Sequence, residues 1–117
     1  MKFLMVHRLD ERRPDAFSPP PEVYEKMGQL IGEMTAAGVL LAAEGVLPSS
    51  AGALVRYANG KRTVTDGPFT EAKEVIGGFA LLQCRSIEEA VEWSSRFAEI
   101  VGDVEVEVRQ VSETPGG

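Results

Sequence analysis

The chain is poor in the residues that chemistry most often uses. It has one cysteine, Cys84, one histidine, His7, and one tryptophan, Trp93. A lone thiol permits no internal disulfide and excludes a zinc centre built on thiolates. One histidine among scattered carboxylates gives no ligand spacing, so neither a metal site nor a cofactor is expected. No H-E-x-x-H helix, phosphate-binding glycine loop or G-x-S-x-G elbow is present. Long apolar runs are missing too. No stretch approaches membrane-spanning length and no signal-peptide core follows the start, so no membrane partner and a cytoplasmic location are expected. Positive charge is scarce, with 12 Lys and Arg against 18 Asp and Glu, a net charge of −6 and a pI near 4.8. The basic clusters are the pairs Arg12-Arg13 and Lys61-Arg62. A phosphate backbone would be repelled by the rest, which argues against a nucleic-acid partner.

What is present suits one soluble domain spanning residues 1–117. Hydrophobic residues make up 44% and charged residues 26%, the ordinary balance of a globular core under a charged surface. Lys2–Arg8 is apolar at four successive positions and reads as a strand covered on both faces. Leu9–Pro21 is a long charged loop ending in prolines, suited to act as a flap. Val23, Met27, Leu30, Ile31 and Met34 recur every three or four residues and predict a helix from Pro21 to about Ala37, closed by Gly38. Gly28 and Gly32 share a face of that helix, which predicts close packing against the sheet or the second helix. Val39–Val46 is a second strand with Glu44 as its one charge. Asn59-Gly60 between two β-forming runs predicts a type I′ hairpin over Ala53–Thr65, because both central residues need φ > 0.

Asp66-Gly67-Pro68 ends that hairpin, and Phe69 is expected to anchor the following loop on the core. Val75–Leu82 reads as a central strand, with Gly77-Gly78 marking a bulge or a close backbone approach. Ser86 and Glu89 form a capping-box pattern ahead of a helix whose stripe is Ile87, Ala90, Val91, Ser94, Phe97, Ala98 and Val101. Gly102 closes it. In Val104–Val108 the valines alternate with charges. The tail from Ser112 to Gly117 is polar and expected to fray. With the hairpin set aside, the order is βαββαβ, the ferredoxin-like α+β arrangement with an antiparallel sheet. Both helices then cover one face of the sheet. Several strands are apolar on both sides, so the other face needs a cover, and a second copy in a homodimer is the economical one.

The run Asp66-Gly67-Pro68-Phe69, continued by Glu71, Lys73-Glu74 and Gly77-Gly78, resembles the DGPF subgroup of the YCII-related family. The opening strand and the late Val106-Glu107-Val108-Arg109 fit the same likeness, which covers nearly the whole chain. The resemblance implies a ferredoxin-like domain that dimerises as an α/β barrel. It also implies a His–Asp pair as an enzyme site, for which this chain offers His7 and Asp66.

His7 can serve as a general acid or base near neutrality, or it can be a strand-end histidine bonded to the backbone. Asp66 can act in chemistry or can close an Asx-turn. Glu105, Glu107 and Arg109 point away from the valine face, where they would border a cleft between two subunits. Arg56 on the hairpin suits a bidentate anion contact. Glu71 and Lys73 are further ligand-binding candidates in the motif loop. Two functional readings follow, beside that of an interaction protein with no small ligand at all. One is a protein that binds a small organic molecule in a cleft at the dimer interface, with acid/base chemistry by His7 and Asp66. The other, which the resemblance adds, is a non-catalytic regulatory module associated with sigma-factor-like proteins.

Overall fold

The structure, a computed structural model, describes residues 1–69, 72 and 74–113. Strand β1 (Lys2–Leu9) leads into helix α1 (Pro21–Ala36) and strand β2 (Leu40–Gly45). A 3₁₀ turn at Ser49–Ala51 precedes the hairpin β3 (Ala53–Ala58) and β4 (Lys61–Asp66). Strand β5 (Val75–Gln83), helix α2 (Ile87–Val101) and strand β6 (Glu105–Gln110) complete the chain. Four strands form one antiparallel sheet in the order β2-β5-β1-β6, and β3 and β4 form a separate two-stranded sheet. An α+β arrangement in this order is compatible with the ferredoxin-like fold. Both strands expected to be central, β1 and β5, are central.

Alternation along the strands decides which side chains meet the helices. Phe3 and Met5 of β1 and Ala80 and Leu82 of β5 are buried. They pack with Leu30 and Met34 of α1 and Ala90 and Phe97 of α2 into one core. Val106 and Val108 of β6 lie against the same core, so Glu105, Glu107 and Arg109 face the other way. Cys84 is buried in the core as a small apolar residue.

The helix ends follow the capping signals. Val39 N–H donates to Met34 C=O and Gly38 N–H to Thr35 C=O, with Gly38 at φ 72°, which is a Schellman closure. Glu89 N–H donates to Ser86 Oγ, and Arg85 N–H donates to the Glu89 carboxylate. The reciprocal bond of the capping box therefore reaches one residue further back than the simple pattern. Asn59 and Gly60 both take positive φ, 52° and 77°, as the hairpin turn requires.

Three expectations are corrected. Gly28 and Gly32 are not sites of close packing, since a Cβ on either would meet nothing within 4 Å. The helix stripes are narrower than their periodicity suggests. Ile31 in α1 and Ile87 and Val91 in α2 are exposed, while Trp93, outside the expected stripe, packs on the core. Phe69 does anchor its loop, but on the 3₁₀ turn and not on the main core. Its N–H donates to Ser49 Oγ, and Ser49 in turn donates N–H and O–H to the Glu11 carboxylate. A Cβ on Gly67 would fall on the Ser49 carbonyl. The motif loop is thus seated on Ser49 and tied through it to the Leu9–Pro21 loop. The expected fraying of the tail concerns residues that, from 114 on, lie outside the described ones.

Candidate functional site

Helix α1 fully buries only Leu30 and Met34, both in its second half. The helix does not fill the space over the sheet, and a cavity of about 200 Å³ remains between the two helices and strands β1, β2 and β5. Met27, Leu30 and Met34 line it from α1, and Trp93 and Phe97 from α2. Met5, Leu40 and Ala80 supply more apolar wall from the sheet. Against this, one ionisable side chain lines it, His7; Glu44 reaches the lining through its backbone, because it pairs with Phe79 and its carboxylate is on the open face.

His7 shares parity with Phe3 and Met5, so it lies on the helix face. Its ring sits 5.0 Å from that of Phe97, inclined at 47°. On its other side are Gly77 and Gly78, where β5 carries one residue more than β1. His7 pairs with Gly78 and Arg8 with Ile76, which leaves Gly77 bulged. Burial in this apolar setting pushes the His7 pKa below its ordinary value, because the charged ring is the poorly solvated form. Among the described residues no hydrogen bond to the ring is found, and desolvation is the sole cause of its shift. The backbone-bonded strand-end role is therefore not the one it takes here. A neutral imidazole with unpartnered nitrogens can accept a hydrogen bond or a proton from a molecule beside it.

The other sequence candidates lie elsewhere. On the open face of the sheet, Arg8 Nη1 donates to Glu107 Oε1 at 2.7 Å, and Arg109 Nη1 donates to Glu107 Oε2 at 3.0 Å. The bond from Arg109, then that from Arg8, lowers the Glu107 pKa. Glu105 is exposed on the same face. This row and His7 are on opposite sides of one sheet and cannot serve one ligand within a protomer. Asp66 is exposed at the end of β4 opposite Ala53, and Arg56 is exposed on β3 opposite Thr63. No hydrogen bond joins His7 to Asp66 among the described contacts. Glu71 and Lys73 lie outside the described residues. Sequence reasoning missed Trp93 as a wall residue, and Glu11 and Ser49 as the support of the motif loop. Of the wall residues, His7 was a site candidate from sequence, while Met27, Leu30, Met34 and Phe97 read as core.

Among the described residues no group of three or more potential metal ligands occurs, and no helix is long and apolar enough to cross a membrane. The family model for the YCII-related domain matches residues 1–114. The chain is also similar to the uncharacterised protein R00369 of Rhizobium meliloti (strain 1021), with 40% identity over 58 residues. That match spans 50% of this chain and 47% of the relative, about half of each.

Proposed function

We propose that this chain, which belongs to the YCII-related domain family, binds a small, largely apolar organic molecule in the cavity beside His7 and exchanges a proton with its one polar group. The observation that carries this reading is the pairing of an apolar cavity with a half-buried histidine that has no hydrogen-bond partner among the described residues. The volume bounds the ligand. A cavity of roughly 150 Å³ with aliphatic and aromatic walls accommodates benzene, so about 200 Å³ suits a single ring with a small substituent. Walls of this kind reward apolar contact and leave orientation to the few polar groups. His7 would take a proton from an acidic O–H or C–H at a free ring nitrogen and return it from there.

The motif Asp66–Phe69 supports placement in the DGPF subgroup, with the loop acting through the shape it holds. We further read the open sheet face as covered by a second copy of the chain. Phenol and benzene are suitable probes, followed by thermal shift and by the NMR resonances of the His7 ring. Phenol is expected to raise the melting temperature more than benzene and to shift the ring resonances. Its binding should weaken as the pH falls and His7 takes up a proton. His7→Ala should erase the preference for phenol over benzene. No protection by either compound, or an undiminished preference in His7→Ala, would overturn the reading.

A further inference from the structure

We propose that Gly77 and Gly78 are positioning residues for His7, a slot of bare backbone on which the imidazole rests. The proposal builds on the cavity reading, since it supplies the reason why the one histidine is held as it is. A Cβ on Gly77 would stand 2.5 Å from Nε2 and 2.9 Å from Cδ2 of His7. A Cβ on Gly78 would stand 2.8 Å from Cε1. Ordinary contacts of this type begin near 3.4 Å, so the ring occupies the space that two side chains would need. On its far side the ring meets Phe97. The imidazole is therefore held between backbone and the tilted Phe97 ring, with no hydrogen bond to it among the described residues.

The need for glycine here is spatial. The glycines with positive φ are Gly38, Gly60 and Gly102, so the backbone at 77 and 78 is open to any residue. What surrounds the two positions differs in a useful way. At Gly78 a Cβ would also come within 2.7 Å of the Glu44 carbonyl oxygen, which is backbone and cannot yield. At Gly77 the three nearest atoms all belong to side chains, two from His7 and one, at 2.9 Å, from the flexible end of Leu9. Removal of the imidazole should thus make room for a methyl group at 77 and not at 78. The bulge contributes as well, since the extra residue brings two consecutive glycines beneath one ring.

The test compares the unmodified chain with Gly77→Ala, His7→Ala and the double variant, by thermal unfolding without ligand. Gly77→Ala alone is expected to lower the melting temperature by roughly 5 °C or more, the scale of a small-domain response to a lost core contact. In the His7→Ala background the same change should lower it by less than half as much. If Gly77→Ala does not fold, recovery of folded protein in the double variant supports the proposal, and failure of both overturns it. Where Gly77→Ala does fold, its His7 ring resonances should titrate closer to the ordinary histidine value than in the unmodified chain. Equal losses in the two backgrounds, or an unchanged His7 titration, would overturn the proposal. No ligand enters this cycle. Failure of the phenol test would leave the slot standing, and failure of the cycle would leave the cavity standing.

Discussion

At His7, burial works against protonation, and this ties the stability of the fold to pH. The folded pKa lies below the ordinary value of 6.5, so the unfolded chain takes up the proton first as the pH falls. The histidine's contribution to stability is fully present above about 6.5 and is lost progressively from there down to the folded pKa. Urea unfolding at pH 8, 6.5 and 5.5 should show a decline that is shallower in His7→Gln. Equal declines would show that His7 is not the titrating group. Ser49 offers a second test at this scale. It links the Phe69 N–H to the Glu11 carboxylate and is buried. Ser49→Ala should cost about 1–3 kcal/mol, the usual penalty for leaving a buried donor or acceptor unmet, and denaturant midpoints would reveal it. An effect within experimental error would mean that water replaces the hydroxyl. His7 was visible as a candidate from the first strand alone. The Glu11–Ser49 contact was not, because a bond across 38 positions leaves no periodic trace.

Of the two helices, α1 is the less committed to the core. Only Leu30 and Met34 are buried in it, and Gly28 and Gly32 stand in open space. Glycine in a helix interior is less favourable than alanine by about 0.5–1 kcal/mol. Gly28→Ala and Gly32→Ala should therefore each stabilise the protein by about that amount in chemical denaturation. Destabilisation by either change would mean that something outside the protomer packs on this face. Helix α2 is held more tightly, by the Ser86 cap at one end and Gly102 at the other. Arg96 at its middle reaches Glu33 on α1 and lies 5.1 Å from the Trp93 ring. Ser86→Ala is expected to cost about 1 kcal/mol. The hairpin is the opposite case. Every residue of β3 and β4 is exposed, including Val55 at 59% and Tyr57 at 70%. A lone two-stranded hairpin is marginal in water, so this arm must find a surface elsewhere. The Asn-Gly turn and the alternating strands made it legible, but not where it points.

On the scale of the whole molecule, the surface exceeds that usual for a compact monomer of this mass. A 12.7 kDa chain should expose about 6,200 Å², yet this one exposes 8111 Å². Its radius of gyration is 16.0 Å against about 13 Å for a compact domain of this length. The excess of about 1,900 Å² per protomer falls in the range that homodimers bury. It is also apolar where it matters, with Ile76 and Phe79 exposed on the open face of the sheet and Leu54, Val55 and Tyr57 on the arm. Sedimentation should find a dimer at micromolar concentration. Phe79→Glu should shift it to monomer, because an uncompensated charge would then be buried at the interface. A monodisperse, well-folded monomer in the unmodified chain would refute the second copy as the cover.

The order of elements, their approximate ends and the alternation of β6 were determined by the sequence alone, because these rest on local rules; which face of the doubly apolar β1 meets the helices, and so where His7 points, was not. Period-two and period-3.6 patterns, caps and an Asn-Gly turn act within a few residues. The position of the cavity was decided only in three dimensions. It exists because α1 falls short of filling its side of the sheet, a mismatch of shapes that no window of residues records. The same holds for the role of Gly77 and Gly78. Their spacing announced an irregular strand, but the ring they accommodate arrives from a strand seventy positions away, and only folding brings the two together.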